Sequence, residues 1–245
     1  MAGRKPLRAV LLDYGDTLFH FHYDRETHLR ACEALLEGAG GDPADAVTLL
    51  EAFGPAFERA VAERDPDTEL DYPLLMRGLL AAVGVLADDA RLDAALEAEH
   101  RAWDGARELH PEALELLDGL HEAGLATAIV SNTFDPPRLM HEDLASFGIA
   151  QRVDAAVFSS ELGYRKPSAE IYRHALSLVG AEPGAALFAG DRVLEDVIGP
   201  ARLGMRTCLC LYYRQDEGDH SLADVHARTP LDVLSAVHEG LDGGV

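Results

Sequence analysis

The chain has 245 residues, enough for one large domain or for a domain that carries an insert. Apolar residues make up 48% of it and charged residues 26%, as in an ordinary globular protein. Acidic residues outnumber basic ones by 43 to 21, so repulsion argues against a nucleic acid or an anionic membrane as a partner. No apolar run reaches the ~18 residues of a membrane span, and no signal peptide precedes the first predicted strand, so we expect a cytoplasmic protein.

The first predicted strand ends in a polar turn. Residues 9–12 form a short apolar run, typical of a buried strand in a parallel sheet, and Asp13-Tyr14-Gly15-Asp16-Thr17 follows directly. The carboxyl end of such a strand is where α/β sheets bind ligands. The alternative is that Asp13 and Asp16 only cap a turn or a helix.

Residues 24–103 show helical patterns and no strand pattern. We expect the second of four helices to kink or split at Gly54-Pro55, because proline removes a backbone hydrogen bond. An all-helical block after the first strand is typical of an inserted domain, so we expect a helical domain over residues 21–107 and a core made of residues 1–20 and 108–245. The predicted helices cover Asp24 to Ala39, Asp42 to about Arg64, Tyr72 to Val83 and Asp88 to about Trp103.

From residue 110 onward, predicted strands alternate with predicted helices. This alternation favours an α/β fold: a Rossmann-like parallel sheet with helices on both faces. Right-handed crossovers then place the polar strand ends at one edge of the sheet. The strands are predicted over 125–130, 155–158, 185–189 and 206–211, and the helices over 111–122, 137–147, 168–179, 193–203 and 229–237.

Three further polar signatures occur along this second part of the chain. Ser131-Asn132 follows one predicted strand, and Gly190-Asp191 follows another, with Asp196 five residues farther on. Lys166 lies in Gly163-Tyr164-Arg165-Lys166-Pro167, just before a predicted helix, and it is one of only two lysines in the chain. The signatures that follow strands should meet at the same edge of the sheet.

These side chains together suit phosphoryl transfer. Asp13, Asp191 and Asp196 would form a carboxylate cluster that a cation must neutralise, and oxygen ligands suit Mg²⁺. Lys166 would keep a carboxylate nucleophile ionised, and Ser131 would donate a hydrogen bond to a phosphate oxygen. Phosphoryl transfer needs mainly such positioning and electrostatic stabilisation.

In kind and order, the four signatures resemble those of the haloacid dehalogenase superfamily, over nearly the whole chain. The resemblance implies a phosphatase-like hydrolase with an inserted helical cap, Mg²⁺ as cofactor and a small phosphorylated substrate. We expect no nucleic-acid or membrane partner, and a monomer or a homodimer.

The resemblance also implies roles for individual residues. Asp13 resembles the nucleophile that forms an aspartyl-phosphate, and Lys166 the catalytic residue that balances its charge. Phosphate or substrate binding is implied for Ser131, Asn132, Thr17 and Lys166. Metal binding is implied for Asp13, Gly15, Asp191 and Asp196.

Gly15 departs from the family pattern. Most phosphatases of the family carry a second Asp at this position, as the acid that protonates the leaving group. Its loss lowers the rate by the ~100- to 10,000-fold usual for general acid catalysis. Gly15 can still offer its backbone carbonyl to the metal. His20, His22 or a bound water could supply the proton, whereas Asp16 is not expected to do so.

Two other functions stay open. Gly15 favours a catalytically weak or inactive member that binds phosphate. A hydrolase of another bond, such as a haloacid dehalogenase, would work without magnesium, but the intact Gly190-Asp191 argues against it. A phosphonate-cleaving relative would need a lysine in the helical block, and residues 19–110 contain none.

Overall fold

The computed structural model describes residues 5–214 and 218–239. Within these ranges, six parallel strands form one sheet with helices around it, which confirms the predicted α/β class. In chain order the strands are β1 (Ala9–Leu12), β2 (Phe19–Phe21), β3 (Arg107–Leu109), β4 (Ala126–Ser131), β5 (Ala155–Phe158), β6 (Ala186–Gly190), β7 (Arg206–Cys210) and β8 (Val225–Ala227). The sheet order is β5-β4-β1-β6-β7-β8.

The helices alternate with the sheet strands after β3. None of the helices in the described ranges is both long and apolar enough to cross a lipid bilayer. They are α1 (Arg25–Ala39), α2 (Ala46–Glu63), α3 (Tyr72–Ala82), α4 (Asp89–Ala102), α5 (Ala113–Glu122), α6 (Pro137–Ser146), α7 (Ser159–Leu162), α8 (Ala169–Leu178), α9 (Gly199–Ala201) and α10 (Pro230–His238).

Strand β1 lies at the centre of the sheet, between β4 and β6, and all four of its side chains are fully buried. Its side chains alternate between the two faces, as in any strand. Val10 and Leu12 pack in the cluster that includes residues of α5 and α10, whereas Leu11 packs in the cluster that includes α8. Helices cover both faces, which explains why this strand is apolar throughout.

Helices α1 to α4 follow β2 and build a hydrophobic cluster of their own, around Leu35, Leu36 and Leu80. Helix α1 begins after Asp24, whose carboxylate accepts a hydrogen bond from the Thr27 amide at 2.8 Å. It ends at Gly40, which has the left-handed φ of 79° that favours glycine. The predicted starts and ends of these helices agree with the structure to within a few residues.

Strands β2 and β3 form an antiparallel two-stranded ribbon, in which Phe19 pairs with Leu109 and Phe21 with Arg107. The sequence analysis predicted neither strand, because strands of three residues are too short to show an alternating pattern. Strand β8, also three residues long, was missed for the same reason.

Helix α2 was expected to kink or split at Gly54-Pro55, and it does not split, because it continues through both residues. Pro55 and Glu51 are exposed on the helix surface. Water can therefore reach the Glu51 carbonyl, which loses its usual amide donor at Pro55.

The helix predicted over 193–203 is not one regular α-helix in the structure. A π-helical turn, Val193–Ile198, precedes the short α9. The Tyr172 hydroxyl donates a hydrogen bond to the Glu195 carbonyl within this turn, and a side-chain donor of this kind disturbs regular α-helical bonding.

Gly38 allows a close approach of α1 to α4. A β-carbon at this position would lie 2.7 Å from the Ala95 Cα, a backbone atom that cannot move alone. We therefore expect Gly38→Ala to lower the free energy of unfolding by about 1–3 kcal/mol. Gly78→Ala, on the exposed side of α3 with no atom within 4 Å, should raise it by about 0.5–1 kcal/mol. Urea denaturation of both variants measures these changes. A Gly38→Ala variant that is more stable than the native protein would contradict the close packing of α1 against α4 at Gly38.

Candidate active site

Three neighbouring strands bring the predicted carboxylates and serine together. Asp13 follows β1, Ser131 ends β4 and Asp191 follows β6, and these strands are adjacent in the sheet. Asp196 lies in the π-helical turn after β6 and is fully buried. The polar strand ends therefore meet at one edge, as the alternation of strands and helices predicts.

Lys166 lies between two carboxylates. Its Nζ is 2.7 Å from Asp13 Oδ1 and 2.6 Å from Asp196 Oδ1, and its side chain is 1% exposed. Burial alone lowers the pKa of this ammonium, but the negative charges of Asp13 and Asp196 raise the pKa above its usual value. Lys166 is therefore charged at neutral pH.

Asn132 holds the Lys166 backbone. Its Nδ2 donates to the Lys166 carbonyl at 2.9 Å, and its Oδ1 accepts from the Lys166 amide at 2.7 Å. These two hydrogen bonds tie the loop between α7 and α8 to the end of β4. Sequence reasoning had assigned Asn132 to the phosphate or substrate, and the structure gives its amide group this additional contact.

A cavity of about 300 Å³ opens above this cluster. Asp13, Gly15, Ser131 and Asp191 line it, so these residues all face the same space. Thr17 is fully buried behind Asp13, and its hydroxyl donates to Asp13 Oδ2 at 3.3 Å. Thr17 thus orients the Asp13 carboxylate.

Asp13, Asp191 and Asp196 form a tight carboxylate cluster. Each offers an oxygen, and the three oxygens lie within 4.8 Å of one another. Burial, together with the nearby charges, raises the pKa of Asp191 to about 8 and the pKa of Asp196 to about 7. Asp191 Oδ2 is buried without a hydrogen bond. A hard divalent cation fits such a set of crowded oxygen ligands.

Arg214 was missed by the sequence reasoning. Its guanidinium contacts Asp16, and its Nε lies 2.8 Å from Asp191 Oδ2, without the alignment of a hydrogen bond. The signal available was its place in the polar segment that follows strand β7. Asp16 is paired with Arg214 and with His20, which explains why it is not a free acid.

The cavity is rich in arginine although the chain as a whole has a net charge of −22. Five acidic side chains line it as well, and three of the four arginines contact them. The arginines that line the cavity come from α2's end, from the Lys166 loop and from the segments after β6 and β7: Arg64, Arg165, Arg192 and Arg214.

Neither His20 nor His22 is among the described residues that line the cavity. His20 Nδ1 is 2.8 Å from Asp16 Oδ1, and its ring stacks on Tyr213. His22 pairs with Glu108 on the surface. The suggestion that one of these histidines supplies the proton therefore gains no support from their positions.

The sequence is similar to those of known hydrolases. A model of the haloacid dehalogenase-like hydrolase family matches residues 7–204. The phosphoserine phosphatase of Thermus thermophilus is 35% identical over 208 residues, which are 81% of this chain and 79% of that protein. The glyceraldehyde 3-phosphate phosphatase of Methanopyrus kandleri is 25% identical over 239 residues, which are 95% of this chain and 98% of that protein.

Solved structures share the fold over almost the whole chain. A HAD phosphatase from Thermococcus onnurineus superposes with a TM-score of 0.64 at 19% identity, covering 96% of this chain and 99% of that one. A 2-haloacid dehalogenase from Pseudomonas syringae gives 0.67 at 20% identity, covering 96% and 98%. At these identities the likeness concerns the fold and not the reaction.

We expect Mg²⁺ added after chelator treatment to stabilise the protein, because a ligand that binds only the folded state at 100 times its Kd adds about 2.7 kcal/mol. Asp191→Asn removes a charged oxygen ligand and should abolish most of the rise in melting temperature. Glu51→Gln, which removes an exposed charge on α2, should leave the rise unchanged. An equal rise in all three proteins would contradict metal binding at this cluster.

Proposed function

Because the chain belongs to the haloacid dehalogenase-like hydrolases, we propose that it is a magnesium-dependent phosphatase that hydrolyses a small phosphate monoester. The observation that carries this proposal is the contact of the Asp13 carboxylate with the buried Lys166 ammonium, beside a cavity whose wall carries both arginines and carboxylates. The names of the two relatives, a phosphoserine phosphatase and a glyceraldehyde 3-phosphate phosphatase, support a phosphorylated metabolite as substrate.

Asp13 acts as the nucleophile in this proposal. Its carboxylate attacks phosphorus, the ester P–O bond breaks, and the phosphoryl group is carried on Asp13 as an acyl phosphate. Water then hydrolyses the acyl phosphate, which releases inorganic phosphate and restores the carboxylate. Thr17 and Lys166 hold the two oxygens of Asp13 in a fixed orientation, so that little reorganisation precedes the attack.

The remaining residues bind the transferred group. Ser131 donates its hydroxyl to a phosphate oxygen, while Lys166 balances negative charge. Asn132 positions Lys166 through its loop and borders the same cavity. Asp13, Asp191, Asp196 and the Gly15 carbonyl would hold Mg²⁺, which would supply positive charge to the phosphate oxygens.

We assign substrate selection to the helices. In this proposal residues 21–107 form a cap domain, and residues 1–20 and 108–245 form the core. Phe57 and Arg64 from the helical segment line the same cavity as Asp13 and Asp191, which supports closure of the site between the two parts. Residues from the helical segment then contact the part of the substrate that lies beyond the phosphate.

Gly15 has no acidic side chain that could protonate the leaving group, so water protonates the departing oxygen. Such an enzyme works best on esters whose leaving alcohol is already acidic. A protein that binds phosphate with little turnover is the second candidate, and Gly15 is the observation that favours it.

Asp13→Asn should lower kcat by ~10³-fold or more, because it replaces the nucleophile. Phosphate release from a panel of phosphorylated metabolites measures this, with Mg²⁺ and with a chelator, while circular dichroism confirms that the variant is folded. Glu51→Gln serves as the matched surface control. Undiminished activity in Asp13→Asn would refute the proposal, and activity that survives the chelator would favour hydrolysis of another bond.

Gly15→Asp should raise turnover of alkyl phosphates by about 100-fold, the lower end of the range for general acid catalysis. A β-carbon at residue 15 fits, because it meets only Phe19 ring atoms at 3.8 and 3.9 Å, an ordinary contact. Gly15→Asn has the same size without an acidic proton and should give no gain. Aryl phosphates, whose leaving groups need no proton, should gain much less from Gly15→Asp.

Equal gains in the Asp and Asn variants would contradict the missing-acid explanation. A native protein that is silent on every ester, together with an active Gly15→Asp, would select the phosphate-binding candidate.

A further inference from the structure

A second cavity, here called the aromatic cavity, borders the proposed phosphate site. Its volume is about 310 Å³, within the ~300–1,000 Å³ typical of small-molecule sites. Gly15, Ser131 and Asn132 line both cavities, so a ligand whose phosphate is held at Asp13 can extend into the second space. Its wall contains His28, Arg107 and eight phenylalanine, tyrosine and tryptophan rings: Tyr14, Phe19, Phe21, Tyr23, Phe53, Tyr72, Trp103 and Phe134.

Glu99, from helix α4, lies in the wall of the aromatic cavity and is only 9% exposed. Its Oε1 accepts hydrogen bonds from the Tyr72 hydroxyl at 3.1 Å and the Trp103 Nε1 at 3.2 Å. Both donors are neutral. Among the described residues, no lysine, arginine or histidine forms an ion pair with this carboxylate.

The other carboxylates of this wall are already paired. His100 lies 3.0 Å from both Asp135 and Asp143, and Arg107 lies 3.1 Å from Asp143. Although burial opposes it, the hydrogen bonds to the two aspartates raise the pKa of His100 to about 9, so this histidine is charged at neutral pH. Asp135 and Asp143 therefore each have a cationic partner, whereas Glu99 has none among the described residues.

A buried carboxylate without a counter-ion is costly, and an apolar residue of similar size would be more stable there. Burial, with Asp135 nearby, raises the pKa of Glu99 to about 7, as expected for this environment. Aromatic rings attract cations through their faces, and the attraction is strongest where water is excluded. A carboxylate among aromatic rings is thus complementary to an organic cation.

We propose that the aromatic cavity binds an organic ammonium group, with Glu99 as its counter-ion and the surrounding rings as its wall. The substrate assignment rests on the proposed phosphatase function. Together with that function, the ammonium site identifies the substrate class as the phosphate ester of an amino alcohol. The phosphate lies at Asp13, and the ammonium end of the leaving alcohol lies at Glu99. Gly15 lines both cavities and has no side chain that could block the passage between them.

Binding can be measured without catalysis, because Trp103 is the chain's single tryptophan and lines the aromatic cavity. Choline should change its fluorescence saturably, and the uncharged carbon analogue 3,3-dimethylbutan-1-ol should bind at least about tenfold more weakly. Glu99→Gln keeps the size of the side chain and an acceptor oxygen. It should weaken the binding of choline by at least about tenfold and leave the binding of the alcohol unchanged. Glu37→Gln removes the charge of an exposed glutamate on α1, and this variant should bind choline like the native protein.

Equal affinity of choline and its neutral analogue in the native protein would overturn the proposal, as would no saturable change with choline. That comparison needs no variant, so it remains decisive if Glu99→Gln does not fold. A folded Glu99→Gln that binds choline as tightly as the native protein would also overturn it.

Hydrolysis separates this inference from the proposed function. Phosphocholine should be preferred over 3,3-dimethylbutyl phosphate by at least about tenfold in kcat/KM, and Glu99→Gln should remove the preference. If neither ester is hydrolysed but choline still binds, the phosphatase function fails and the ammonium site stands. If both esters are hydrolysed equally and choline does not bind, the phosphatase function stands and the ammonium site fails.

Discussion

A buried ammonium between two carboxylates holds the candidate site together. Taking Lys166 out of water costs several kcal/mol unless opposite charges compensate, and Asp13 and Asp196 are both within 2.7 Å of it. Three aspartates and one lysine still leave two negative charges in the cluster, apart from the contact of Arg214 with Asp191. The excess explains why burial and mutual repulsion raise the pKa values of Asp191 and Asp196, and why a divalent cation is complementary to the site.

The two neighbouring cavities have walls of different composition. The wall of one carries four arginines and five carboxylates, and the wall of the other carries aromatic rings, Arg107 and three carboxylates, of which Glu99 has no ion pair among the described residues. Five residues line both cavities: Gly15, Ser131, Asn132, Thr133 and Phe134. With the proposed ammonium site at Glu99, a ligand with an anionic and a cationic end would bind with its phosphate at Asp13 and its cation at Glu99, so that the two sites would fix its orientation as well as its affinity.

Much of the sheet and of the Asp13 cluster could be predicted from the sequence. Apolar strands that end in polar residues place those residues at one edge by geometry alone, so Asp13, Ser131 and Asp191 could be expected to meet. Arg214 and Glu99 could not be found in this way. Arg214 contacts Asp16 and Asp191, and Glu99 contacts Tyr72, across many residues of chain. A single arginine or glutamate on a helix or loop carries no local pattern. The π-helical turn depends on Tyr172, which lies more than 20 residues before it.

The β2–β3 ribbon has a mechanical consequence. The chain leaves the sheet for helices α1 to α4 through β2 and returns through β3, and the two strands are hydrogen-bonded to each other from Phe19 to Leu109. The two crossings are therefore tied to each other and are not independent. Arg64 and Glu99 both belong to the segment that they connect, so a rotation about this ribbon would move both residues together relative to Asp13 and change both cavities at once.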